Sequence, residues 1–253
     1  MPDEDDDQRE DGPDDGESGA NEPAAIRVNF GHPMPLFPLE VATLLPHAMM
    51  PVHIFEPRYR QMVREALDGP GQIAMAIYDE SAPLDEHGRP ALRDAVCVGQ
   101  IMQHQQLPDG RYILTLHGVC RGRIIQELPP DEDREFRLAY LEPVGLEDVQ
   151  ESDLAESKSR LLDLLTHEPL TDLKDADAVV RHLRDDEVPT SAVLELVTFA
   201  MLTDSELRYQ LLAEGDVRKR VILVEHELLR LSSLLARAHT QRRTDLPKGV
   251  SYN

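Results

Sequence analysis

The chain of 253 residues has no tryptophan, two cysteines and four lysines, and each scarcity removes a class of function. A phosphate-wrapping loop needs a lysine directly after a glycine, and none of Lys158, Lys174, Lys219 and Lys248 follows one. Two cysteines cannot supply a four-ligand structural zinc site without several closely spaced histidines. Cys97 and Cys120 stand among valines, which reads as buried thiols in a reducing compartment rather than a disulfide framework. The string nearest to a zinc-protease motif, Glu225-His226-Glu227-Leu228-Leu229, lacks the second histidine. His47 and His53 form the only close histidine pair in the first half, but a spacing of six in strand and loop fixes no shared face. There is no Gly-x-Ser-x-Gly nucleophile elbow. The acid pairs Asp79-Glu80 and Asp85-Glu86 lie in a polar segment, where a solvated face is the ordinary reading. No catalytic residue, no metal site and no cofactor is expected.

Positive charge is also in short supply. The formal net charge is -22, and about ten of those charges sit in residues 1–25, which carry eleven Asp or Glu against Arg9 alone. So polar a segment cannot bury enough surface to offset its ordering entropy, and disorder is predicted for it. The remaining body, near −12, works against nucleic-acid binding, which needs a basic face to release counterions. No apolar run reaches the eighteen or so residues of a membrane span, and the N-terminus lacks the pattern of a signal peptide. A cytoplasmic protein with no membrane association is expected.

What the sequence does contain is two contrasting halves. From Val28 to about Pro143, short apolar runs alternate with turn signals and predict strands at Leu36–Leu39, Met50–Phe55, Ile73–Tyr78, Val96–Gln106, Tyr112–Arg121, Ile124–Glu127 and Arg137–Glu142. Pro108-Asp109-Gly110 marks a hairpin turn, and Gly118 and Gly122 suggest a bulge or sharp bend of a small barrel. The one helix in this half starts at Pro57 and stops at Gly69-Pro70, with Glu56 placed to meet the positive end of its dipole.

From Gly145 onward the period becomes 3.6, predicting helices at Leu146–His167, Ala176–Leu183, Ser191–Leu202, Ser205–Ala213 and Val217 to about His239. Asp204 and Asp216 occupy N-cap positions and Gly215 a C-cap position. In the last helix Val217, Val221, Val224, Leu228, Leu231 and Leu235 form a heptad seam, which could serve a homo-oligomer. Ile222, Leu223, Leu229 and Leu234 widen the apolar face and favour packing within the chain's own bundle. The expected organisation is a tail at 1–25, a β domain at 26–144, a helical subdomain at 145–243 and a frayed tail at 244–253.

Three strings in series, "PLFPLEVATLLPHAMMPVHIFEPRYRQMVREAL", "IAMAIYDE" and "CVGQIMQHQQLPDGRYILTLHGVCRGRI", followed by a helical half, resemble the N-terminal domain of the Lon protease family. The likeness is to the stand-alone form without ATPase or protease modules, and spans about Pro33 to Leu235. It implies an α+β fold, a PUA-like β pseudo-barrel followed by a C-terminal helical bundle. It also implies a non-enzymatic module that binds unfolded polypeptide or a protein partner such as a protease or chaperone. An RNA-binding PUA-like protein and an unrecognised hydrolase are the alternatives. The hydrolase would need a polar, water-excluding cleft between barrel and bundle. In the resembling fold, Pro51, Ile54, Phe55 and Tyr59 are architectural. Arg58, Tyr59 and Arg60, of residue types that dominate interfaces, are the candidate protein-binding residues.

Overall fold

A computed structural model describes residues 26–40, 43–85, 87–146 and 149–244. The expected acidic tail at 1–25, Glu86 and positions 245–253 of the expected C-terminal tail lie outside the described residues. The fold is mixed α+β: six strands in one sheet, and six α-helices with five of them after the sheet. The strands are β1 (Met34–Leu39), β2 (Met49–Ile54), β3 (Gln72–Ile77), β4 (Ala95–Gln106), β5 (Tyr112–Glu127) and β6 (Arg137–Val144). The helices are α1 (Pro57–Leu67), α2 (Glu151–Thr166), α3 (Ala176–Arg184), α4 (Thr190–Met201), α5 (Ser205–Ala213) and α6 (Val217–Thr244).

The sheet runs β2-β5-β4-β3-β1-β6, and β5 also pairs β6. That extra pairing closes β5, β4, β3, β1 and β6 into a ring, with β2 attached outside it along the first half of β5. β1 and β3 are parallel, with β2 and α1 in the connection between them; β3–β4, β4–β5, β5–β6 and β1–β6 are antiparallel. β3 is buried along its whole length. Its Ile73, Met75 and Ile77 join one core and Ala74 and Ala76 another, so its apolar run has no polar alternation. The second core draws small side chains, Ala74, Ala76, Val96, Val98 and Ala139, from the ring strands, as a narrow interior requires. The first core lies on the other face, under α1 and β2, and takes in Tyr209 and Leu212 of α5. A third fills the bundle.

β5 is one strand where the sequence predicted two. Gly122 does not break it, because it pairs Val96 on one side and Pro143 on the other. The expected irregularity is real but falls beside Gly118: Val98 pairs Cys120 and Gly99 pairs Gly118, leaving Val119 as the extra residue of a bulge. Gly118 is needed for a close approach. A Cβ there would stand 2.0 Å from the Leu45 carbonyl oxygen, because the 45–48 turn docks on it through His47 N–H to Gly118 O and Gly118 N–H to Ala48 O. The Pro108–Gly110 turn forms as predicted, with Gly110 at φ 82 and Gln106 opposite Tyr112.

α2 begins at Glu151 rather than Leu146; Glu151 and Asp153 place carboxylates in its first turn, where the dipole favours them. Asp204 caps α5 by accepting from the Leu207 N–H, and Asp216 accepts from the Arg218 N–H at the start of α6. Gly215 has no left-handed backbone. Its small size lets it meet Gly145, φ 75, at the crossing of the β6 exit and the α5–α6 turn. On α6, Val217, Val221, Val224 and Leu228 are buried in the bundle and Leu231 and Leu235 partly so, so the heptad seam packs within the chain. Leu223 also packs there, but Ile222, Leu229 and Leu234 are exposed, because the bundle covers α6 from one side only.

Candidate functional site

The strand pairing creates an edge. β6 reaches β1 only at Met34–Leu36, and among the described residues β2 pairs with β5 alone. The second half of β1 and the outer side of β2 therefore carry backbone groups not used in a ladder on that side. Proline inside β2, at Pro51, fits an edge strand. The side chains of β2 alternate: Met50, Val52 and Ile54 turn toward the core while Met49, Pro51 and His53 are exposed.

A groove of about 610 Å³ lies where these two strand ends meet the start of α1. Phe37, Val52, Phe55, Tyr59 and Tyr78 supply its apolar wall. Phe55 is 59% exposed, with its ring centroid 6.1 Å from that of His53. Glu40, Glu56, Asp79 and Glu80 stand around the groove, making its rim acidic. Among the described residues Arg58 is the one arginine there, and it is already committed: its Nε donates to Glu56 Oε2 at 2.8 Å, and its guanidinium lies 4.5 Å over the Tyr59 ring. Glu56 precedes α1 but makes no side-chain cap bond; its carboxylate serves Arg58 instead.

The three candidate binding residues take three different positions. Tyr59 is 5% exposed. It packs edge-on against Phe37 with centroids 4.7 Å apart, and its hydroxyl is 3.4 Å from that of Tyr78. Burial and that neighbour raise its pKa above the ordinary tyrosine range. Arg58 is half-exposed at the groove. Arg60, two residues on and so on another side of the helix, lies against Gly110 of the hairpin turn and lines a separate depression with Gln61, Glu132 and Glu135. The structure brings Arg58 and Tyr59 together and leaves Arg60 apart. Sequence reading missed Phe55 and Tyr78 as groove residues. Each ends or follows a strand on a large aromatic, the one signal that could have flagged it.

A polar cleft of about 510 Å³ does lie between barrel and bundle. At its base Arg121 of β5 and Arg220 of α6, each 6% exposed, meet Glu195 of α4, 4% exposed. Arg121 Nη2 donates to Glu195 Oε1 at 2.7 Å and to Leu211 O at 3.2 Å. Arg220 Nη1 donates to Glu214 O and Gly215 O at 3.0 and 2.8 Å. Burial holds the His47 imidazole below its ordinary pKa and pushes the Cys120 thiol up, the opposite of an activated thiolate. Among the described residues no hydrogen bond joins Cys120 or Ser191 to His47, and no group of three His, Cys, Asp or Glu could hold a metal. No helix among them is long and apolar enough to cross a membrane.

Comparison with known proteins agrees with this architecture. Residues 33–230 match the family described as the ATP-dependent protease La (LON) substrate-binding domain. Among solved structures, the N-terminal domain of Mycobacterium avium complex Lon protease is similar with a TM-score of 0.59 and 15% identity, over 78% of this chain and 98% of that one. The Lon N-terminal domain protein from Xanthomonas campestris is similar with a TM-score of 0.52 and 19% identity, over 79% and 98%. At these identities the structures show a shared fold.

Proposed function

The chain belongs to the Lon substrate-binding domain family, and from that premise we propose that it is a non-enzymatic module that binds extended polypeptide at the β2–α1 groove. The observation that carries this reading is the free edge of β2 beside an aromatic groove. An extended segment can add to such an edge, drawing affinity from main-chain hydrogen bonds and selectivity from side chains that enter the neighbouring groove. Phe55 and Tyr78 receive apolar side chains, and Arg58 covers Tyr59 at the helix start. The acidic rim of Glu40, Glu56, Asp79 and Glu80 favours segments that carry Lys or Arg. It disfavours the RNA alternative, whose phosphates would meet carboxylates.

The test is fluorescence anisotropy with reduced, alkylated ribonuclease A as a basic unfolded polypeptide and reduced, alkylated α-lactalbumin as an acidic one. The reading expects saturable binding, tighter for the basic probe, and about tenfold weaker after Phe55→Ala, the loss typical of an interface anchor. Equal binding by the wild type and the variant would move the site elsewhere.

A further inference from the structure

At the base of the barrel–bundle cleft one buried carboxylate faces two buried guanidiniums. Two guanidiniums, those of Arg121 and Arg220, share the single Glu195 carboxylate: Oε1 accepts from Arg121 Nη2 and lies 3.5 Å from Arg220 Nε. All three side chains are more than nine-tenths buried. The neighbouring carboxylates Glu151, Glu214 and Asp216 take hydrogen bonds at helix starts, and the charges of Glu214 and Asp216 also act on Arg220. Glu151 accepts from Thr190 N and Oγ1 at 2.9 and 2.7 Å, and Asp216 Oδ1 accepts from the Arg218 N–H. His47, the remaining titratable group on the barrel side with Cys120, is held toward its neutral form by burial.

The donors are correspondingly under-used. Among the described residues, Arg220 Nε is buried and has no hydrogen-bond acceptor. The bonds the two arginines make with those residues run through Nε and Nη2 of Arg121 and Nη1 of Arg220, so Nη1 of Arg121 and Nη2 of Arg220 have no acceptor among them. Burying a charge whose donors are only partly satisfied is costly, and Arg220 registers that cost. Desolvation first, and then the facing Arg121, lower its pKa to about 10. Planar guanidinium forks with free donors match the paired oxygens of a carboxylate or phosphate.

We propose that this cleft is a binding site for a small oxyanion, a phosphate or carboxylate group, held between Arg121 and Arg220 where β5, α4 and α6 meet. Such a ligand supplies acceptors for the guanidinium donors that the protein leaves over, and it bridges the strands to the bundle. The site is separate from the polypeptide groove, since the two share no lining residue.

The experiment follows the arginine Nε–H resonances of the full chain by NMR while inorganic phosphate or succinate is added at ionic strength fixed with sodium chloride. The expected result is a saturable shift of the Arg220 Nε–H with at least one of the two anions, and a rise in Tm that follows the same saturation. Glu195→Gln keeps the shape and a hydrogen-bond acceptor for Arg121 but removes the competing charge, so it should bind the anion about tenfold more tightly. Arg220→Gln, if folded, should lose the saturable response. A response to neither anion up to tens of millimolar, affinity unchanged in Glu195→Gln, or binding retained in a folded Arg220→Gln would each overturn the proposal. The relative response to phosphate and succinate tells which oxyanion the site prefers.

Discussion

The β2–α1 groove and the barrel–bundle cleft are of similar size, about 610 and 510 Å³, yet their chemistry is opposed. The groove is aromatic, with free strand edges and an acidic rim whose arginine, Arg58, is already paired. The cleft is polar, with two buried arginines drawn from β5 and α6 onto one glutamate of α4. In the first, backbone groups are left uncommitted by topology. In the second, side-chain donors are left without acceptors by burial. An open sheet edge suits a long partner that brings its own backbone; two buried guanidiniums with donors to spare suit a small anion. The difference also separates what each region does for the fold. The exposed groove residues Phe55 and Arg58 are expected to contribute little to stability, whereas the cleft cluster ties the two halves together.

The sharpest way to test that contrast is to remove the cleft carboxylate. Glu195→Ala leaves two guanidiniums buried together, and stability in urea denaturation should fall by about 3–5 kcal/mol, the usual result of breaking a buried pair from one side. Next in size is Gly118→Ala, whose Cβ would collide with the Leu45 carbonyl. Overpacking of this kind costs about 1–3 kcal/mol, and should lower the urea midpoint while leaving the m-value unchanged. In the groove the signs should reverse. Phe55→Ala and Arg58→Ala should change stability by no more than about 0.5 kcal/mol, and Phe55→Ala alone should weaken polypeptide binding about tenfold. Arg60→Ala, on a different side of α1, should change neither. A Phe55→Ala protein that melts several degrees lower would erase the distinction between the two regions.

The smallest expected effect is one of pH. Burial depresses the His47 pKa in the folded state, so the unfolded chain binds the proton more readily. The contribution of neutral His47 to stability is then fully present above the unfolded value near 6.5 and is lost as pH falls through the lower folded value. His47 has φ 63, a conformation that asparagine tolerates. His47→Asn should therefore flatten the dependence of Tm on pH just below 6.5 without large loss at pH 8.

Local patterns made most of the fold legible. Alternating and apolar runs located the strands, and Pro57 and Gly69-Pro70 bounded α1 near its observed ends. Asp204 marked the start of α5. What failed depended on partners distant in sequence. Gly122 looked like a break because nothing local reveals that Val96 and Pro143 pair it from both sides. Ile222, Leu229 and Leu234 looked like core because periodicity cannot say how far a bundle wraps around its last helix. Arg58 and Arg60 looked like a pair, but the helical turn that separates them leads one to the groove and the other to the hairpin. The Arg121–Glu195–Arg220 cluster left only faint traces: a lone glutamate in the apolar run "AVLELVTF" and an arginine between Cys120 and Gly122. Each had a plausible solvated reading until the topology joined them.

The outer edge of β2 is proposed to receive an extended polypeptide. Residue-resolved amide hydrogen exchange, run with and without saturating reduced, alkylated ribonuclease A, tests it most directly, because a strand added at that edge would protect amides not used in the pairing with β5. New protection is expected within Met49–Ile54, where Pro51 has no amide to report, together with slower exchange at Phe55 and Glu56 beside the groove. Binding that leaves Met49–Ile54 exchanging as in the free protein, with protection appearing instead on α6 or on the barrel–bundle cleft, would contradict it.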